Sequence, residues 1–298
     1  MTVPTPPAVI GFVGLGNMGY PMAGHLARAG FRVLASDLKQ ETVERFCQEY
    51  DASAATSLQA LGAQCDVVIT MLPEGGAVRK VLMDAVGVVS GLRQGAILVD
   101  MSSSSPVHTR ELAAELAAQR IPLLDAPVSG GVAKAREAGI AIMAGGDAVA
   151  IEICRPVFEA MGRLFLTGKS GSGHAMKALN NYLSAATLAV TSEALLAGVE
   201  FGLDPAVMVD IINASTGRSN SSEHKFPTFV LPRKFTSGFF LGLMAKDLRF
   251  AKELAEATGT SHALLDVVSG IYDAAENELG FTADNIEVFR YLEELGGE

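Results

Sequence analysis

The chain has 298 residues, 49% hydrophobic and 19% charged, which is the balance of a folded globular protein and excludes a disordered one; the length suits one large domain or two ordinary ones. A formal net charge of -10 repels phosphate backbones, so nucleic acid is not an expected partner. Cys47, Cys65 and Cys154 are odd in number and far apart, which excludes a disulfide framework and predicts buried free thiols in a reducing compartment, with the cytoplasm as the expected location.

In chain order, residues 1–8, with Pro4, Pro6 and Pro7, lack the basic start and apolar run of a signal peptide and read as a short tail. Short β-branched runs then alternate with amphipathic stretches. Strands are predicted at 9–13, 32–36, 66–71, 96–100, 122–125, 140–144 and 164–166, and helices between them include 18–29, 106–119 and 148–161. Gly30 stands where a helix-ending glycine would. This alternation is the pattern of an α/β unit, a doubly wound parallel sheet covered on both faces. It stops near residue 168. From 173 onward the sequence reads as successive helices, with Asp204-Pro205 as a cap and first-turn proline, then 239–257, 262–278 and 284–295. The expected organisation is therefore residues 1–170 as a nucleotide-binding domain and residues 171–298 as an all-helical domain entered through a long helix. Residues 183–199 are apolar but interrupted by Ser184, Thr187, Thr191, Ser192 and Glu193, which falls short of a membrane span and predicts a helix buried in protein; no membrane partner is expected. Residues 218–234 read as a long connection carrying Arg218, Lys225, Arg233 and Lys234, which is either a solvated loop or a lining of the substrate mouth whose cations suit a second anionic group.

Gly14-Leu15-Gly16-Asn17-Met18-Gly19 follows the first predicted strand and opens a helix, the context in which three spaced glycines form a dinucleotide cradle. The first allows the turn, the second the approach of a pyrophosphate, and the third close packing of helix on strand. Unpaired N–H groups at the helix start then face the phosphates. Asp37 closes the second predicted strand, 18 residues after Gly19, where an acid accepts hydrogen bonds from the adenosine ribose and repels the extra phosphate of NADP. NAD is the expected cofactor, with Lys39 close enough to soften the preference.

Farther along, Asp125-Ala-Pro-Val-Ser129-Gly130-Gly131 ends a predicted strand and can present hydroxyl and N–H donors to a carboxylate. Lys177 and Asn181 lie four residues apart at the start of the long helix and so share one face. The neighbours Ala175, Met176, Ala178 and Leu179 suggest apolar surroundings for Lys177, which would lower its pKa toward proton exchange. His174, one turn earlier, is either a ligand contact or a packing residue. The histidines form no metal-ligand spacing, so no metal is expected, and Ser102 to Ser105 form no nucleophile elbow.

With these motifs in this order, together with Gly11 to Gly19, Met71-Leu-Pro73, Asp100-Met-Ser-Ser103 and Met244-Ala-Lys-Asp-Leu248, nearly the whole chain resembles the β-hydroxyacid dehydrogenase family. The resemblance implies an N-terminal Rossmann domain and an all-α C-terminal domain joined by a long helix. It also implies that the helical domain helps the chain oligomerise, and the apolar helices of the second half favour a homodimer or homotetramer; the expected reaction is hydride transfer between NAD and a small β-hydroxy acid of the 3-hydroxyisobutyrate kind. Lys177 matches the family's catalytic lysine, and Asn181 with Ser129, Gly130 and Gly131 its substrate contacts. Leu72, Pro73, Ser103 and Lys246 match its cofactor contacts, with serine for the commoner threonine at 103. Ala77 stands where some members carry a cofactor-contacting asparagine. The acid stays open among 3-hydroxyisobutyrate, L-serine, D-glycerate, threonate and 2-(hydroxymethyl)glutarate. An imine reductase of the same fold and a catalytically inactive cofactor-binding module are the alternative readings.

Overall fold

The computed structural model describes Val3 and residues 8–296, so the predicted tail lies almost wholly outside the described residues. The chain divides into two compact units, Met1–Lys177 and Ala178–Glu298.

The first unit is built on β1 (Val9–Val13), β2 (Arg32–Ser36), β3 (Ser53–Ala54), β4 (Val67–Thr70), β5 (Ile97–Asp100), β6 (Leu123–Asp125), β7 (Val128–Ser129), β8 (Ile140–Gly145) and β9 (Gly162–Gly168). Among the described residues these form one nine-stranded sheet. Six strands run parallel in the order β3-β2-β1-β4-β5-β6, the strand order of a dinucleotide-binding sheet. Beyond them β8 pairs antiparallel with β6 and β7, and β9 lies parallel to β8. The inner strands Val67–Thr70 and Ile97–Asp100 are buried along their whole length because helices cover both faces. Successive residues feed opposite faces: Ile10, Phe12, Val67, Ile69, Ile97 and Val99 join one core, whereas Val13, Val68 and Leu98 join the other. All seven predicted strands form. β3 and β7 were not foreseen, since two residues carry no periodicity.

Capping explains several helix starts. Ser105 Oγ accepts the His108 N–H at the start of Pro106–Ala118, and Asp147 Oδ1 accepts the Ala150 N–H at the start of Ala148–Glu159. Gly30, just past Gly19–Arg28, takes a φ of 89°, the left-handed conformation expected of it. The cysteines are free, but Cys47 is only half-buried; burial pushes the Cys65 and Cys154 thiols up to about 12.

The second unit is helical. Its first helix, Ser172–Phe201, begins in the preceding unit and runs for 30 residues. Two expectations need correction here. By length and composition alone this helix is apolar enough to cross a membrane, its leucines and valines outweighing the interrupting hydroxyls. Nor is it buried all round: Ala178, Ala185, Leu188 and Leu195 enter the core, whereas Leu183 and Val190 are each 60% exposed. Asp204 caps Pro205–Ala214 as predicted, accepting the Ala206 and Val207 N–H groups. The expected loop at 218–234 is instead largely a π-helix, Ser221–Val230, whose Phe226 and Val230 are buried. Pro227 inside it masked the helical signal. Leu241–Thr258 and Ala263–Leu279 pack against one another, and a short 3-10 turn, Asn285–Glu287, leads into Val288–Gly296.

Candidate active site

The nucleotide end is built from backbone. A Cβ on Gly14 would strike the Met71 carbonyl and one on Gly19 the Gly14 carbonyl, so both must be glycine. Around Gly16, by contrast, nothing lies within 4 Å of the position a Cβ would take, which leaves the turn open to a ligand. Leu15 is buried in the core and Met18, half-buried, packs against it; Gly16 and Asn17 are exposed. Asp37 closes the arrangement: Oδ2 accepts the Leu15 N–H at 2.7 Å and Oδ1 the Lys39 N–H at 2.8 Å. A cleft of about 560 Å³ adjoins Gly16, Asn17 and Asp37. The open second glycine, the helix start and the acid together fit a dinucleotide's phosphates and ribose. The same cleft is also lined by Lys39, Arg45 and Arg136. Spacing from the glycine turn points to Lys39 alone; only the fold carries Arg136 there.

At the carboxyl ends of β4, β5 and β6, where open sheets of this kind bind ligands, lies a buried polar network. Asp100 accepts from Thr70 Oγ1 at 3.0 Å, the Ser102 N–H at 3.0 Å and Ser104 Oγ at 2.8 Å. Ser102 Oγ in turn accepts the Leu72 N–H at 2.9 Å, fixing the turn that carries Leu72 and the exposed Pro73. Asp125 accepts the Gly171 N–H at 2.7 Å and the His174 N–H at 3.0 Å, so it holds the start of the Ser172–Phe201 helix. Burial pushes the Asp125 carboxyl above the usual carboxylate range, opposed by His174 and those N–H donors. The buried His174 ring donates from Nε2 to the Ser102 carbonyl at 3.1 Å and pairs through Nδ1 with Thr109 Oγ1 at 2.8 Å. His174 is thus a positioning residue, joining the Ser102–Ser103 turn to the helix that carries Lys177.

Lys177 is half-buried, but its sequence neighbours do not enclose it: Met176 and Leu179 are 42% and 41% exposed, because adjacent helical residues point in different directions. Ser129 pairs with Ala141 at the end of β7 and is half-buried, and the exposed Gly130 and Gly131 follow with φ of 127° and 68°. In the second unit the buried Asn181 donates from Nδ2 to Asp247 Oδ2 at 2.5 Å. Lys246 Nζ lies 3.8 Å from Asp247 Oδ1 and 5.4 Å from the centre of the Phe250 ring. Asp247 therefore joins two predicted residues, Asn181 and Lys246, and was itself missed. The sequence marks it only as the carboxylate that follows Lys246 in Met244 to Leu248; its burial and its pairing with Asn181 appear only in the fold. Among the described residues no cluster of three or more His, Cys, Asp or Glu could hold a metal.

A parallel sheet in this strand order, an open glycine turn and an acid closing β2 define a dinucleotide-binding unit, here followed by a helical unit. The family models agree. Residues 9–171 match the NAD binding domain of 6-phosphogluconate dehydrogenase, and residues 171–292 match the NAD-binding region of NADP-dependent 3-hydroxyisobutyrate dehydrogenase. The 2-(hydroxymethyl)glutarate dehydrogenase of Eubacterium barkeri is 39% identical over 82% of this chain and 81% of that one. The NAD-dependent L-serine dehydrogenase of Pseudomonas aeruginosa is 37% identical over 88% of this chain and 90% of that one. Among solved structures, the Mycobacterium tuberculosis 3-hydroxyisobutyrate dehydrogenase with L-serine superposes with a TM-score of 0.89 at 32% identity, covering 96% of this chain and 99% of that one. The chain belongs to the 3-hydroxyisobutyrate dehydrogenase family of β-hydroxyacid dehydrogenases, NAD(P)-dependent oxidoreductases that act on the CH–OH group of hydroxy acids.

Proposed function

We propose that the protein oxidises a small β-hydroxy acid with NAD, reversibly, and that Lys177 is its general acid/base. The observation that carries this reading is the face shared by Lys177 and Asn181 on one helix, with the Asn181 amide anchored by the buried Asp247. NAD, held at the glycine turn, would supply the hydride acceptor for the hydroxyl-bearing carbon. Lys177 takes the hydroxyl proton, and Asn181, unable to swing because Asp247 holds it, orients the hydroxyl. Ser129 and the backbone around Gly130 and Gly131 hold the substrate carboxylate. Leu72, Pro73, Ser103 and Lys246 contact the cofactor together with the glycine turn. Asp37 favours NAD over NADP, against the positive charge of Lys39, Arg45 and Arg136 in the same cleft. The relatives act, by their names, on 2-(hydroxymethyl)glutarate, L-serine and 3-hydroxyisobutyrate, which supports a β-hydroxyl as the common feature. The test is NAD and NADP reduction over a panel of these acids together with D-glycerate and threonate. Turnover of at least one with NAD is expected; no turnover of any of them would sink the reading.

A further inference from the structure

Lys225 is a cation with an unusual setting. It lies on the π-helix Ser221–Val230, a geometry that recurs at functional sites, between exposed His224 and buried Phe226. Its side chain is largely enclosed, and Nζ donates to Ser184 Oγ at 2.9 Å. An ammonium has three N–H donors, yet among the described residues no carboxylate lies within ion-pair distance of this one and its single hydrogen-bond partner is neutral. Two other cations of the same stretch are used elsewhere: Arg218 is exposed beside Glu223 at 3.4 Å, and Arg233 pairs with Glu293 at 2.8 Å. Hydroxyls support the spot, since Thr187 Oγ1 and Ser221 Oγ meet at 3.1 Å and the Ser221 side chain is fully buried.

Ser184 fixes where this ammonium lies along the helix. Three residues separate it from Asn181, about 4.5 Å of axial rise, so both stand on one face of Ser172–Phe201. A chain of two to four carbons spans that distance. Burying an ammonium opposite a neutral hydroxyl costs stability, and burial pulls Lys225 down to about 8 with Asp284 opposing, so an anion arriving there would relieve an existing strain in charge.

We infer that Lys225 and Ser184 form a subsite for a second carboxylate, so that the preferred substrate is a dicarboxylic β-hydroxy acid with its far carboxylate a few carbons from the reacting carbon. The inference rests on the proposed role of Asn181 in holding the hydroxyl end. It is tested without turnover by calorimetric titration of the NAD-loaded enzyme with glutarate, which has two carboxylates, and with butyrate, which has one. Glutarate should bind at least about tenfold more tightly, a difference typical of one charge-assisted contact. Lys225→Met should abolish that difference while butyrate affinity moves less than about twofold, and Ser184→Ala should reduce it by about threefold. Equal binding of the two acids by the wild-type enzyme overturns the subsite, as does a Lys225→Met enzyme that still discriminates. If Lys225→Met fails to fold, Ser184→Ala decides, and unchanged discrimination there overturns it too. The parallel assay for NAD reduction separates the two ideas: turnover without discrimination sinks the subsite alone, and discrimination without turnover of any hydroxy acid sinks the catalytic reading alone.

Discussion

The glycine turn at Gly14 to Gly19 and the polar cluster around Asn181 in the helical unit solve different problems with different materials. At the turn the working groups are backbone N–H donors, and side chains are excluded: two of the three glycines have carbonyls where a Cβ would be, and the third faces open space. Around Asn181 the working groups are side chains, and each is held by another: Asn181 by Asp247, Lys246 by Asp247 and Phe250, Lys225 by Ser184. The lesson is that a site made of backbone fails when something is added, whereas a site made of side chains fails when something is removed.

The largest expected effect tests the second half of that statement. Lys177→Ala should lower kcat by on the order of 10² to 10⁴ with NAD binding retained, since a hydroxyl gives up its proton only to a positioned base. Lys177→Arg keeps the charge but cannot release a proton, so it should be nearly as inactive. Asn181→Ala should be milder and act partly through KM, because it loosens placement and leaves the base. A folded, NAD-binding Lys177→Ala enzyme that kept most of its kcat would falsify the assignment.

Next in size is a pair of additions at the turn. Gly14→Ala must place a Cβ against the Met71 carbonyl at a φ of 101° and should destabilise the fold by on the order of 2 to 4 kcal/mol in urea unfolding. Gly16→Ala has open space and should change stability by less than about 1 kcal/mol, yet weaken NAD binding about tenfold or more, measured by fluorescence titration with NADH. Equal losses of stability in the two variants would break the contrast.

Lys225 sharpens the comparison from the side of stability. Its pKa falls on folding from the ordinary 10.5 to about 8, so between those values the unfolded chain binds more protons than the folded one. Its contribution to stability therefore rises with pH across that window and is lost as pH falls through about 8. Lys225→Met, lacking the buried charge, should be more stable at neutral pH by on the order of 1 to 3 kcal/mol, with a flatter stability profile from pH 8 to 10. A lower melting temperature at pH 7 would count against it. Smallest is cofactor choice. With Asp37 in place, kcat/KM with NAD should exceed that with NADP by about tenfold, and Asp37→Arg should narrow or reverse the ratio. A wild-type preference for NADP would show that Lys39, Arg45 and Arg136 govern the cleft.

How much of this was legible beforehand follows from how far apart the cooperating residues lie in the chain. The seven longer strands, the glycine turn, Asp37 and the shared face of Lys177 and Asn181 depend on neighbours within one turn, one strand or one strand-helix unit, and periodicity and spacing carry that information directly. Residues 221–230 were misread as a loop because Pro227 interrupts the helical pattern, and a π-helix has no period that such reading tests for. Tertiary structure alone decided the rest. It joined His174 to Ser102 across 72 positions, Asn181 to Asp247 across 66, and Lys225 to Ser184 across 41. No local propensity encodes such pairings, because each hydrogen bond forms only after hydrophobic burial has brought its two elements together, and the cost of leaving those buried groups unpaired then selects the partner.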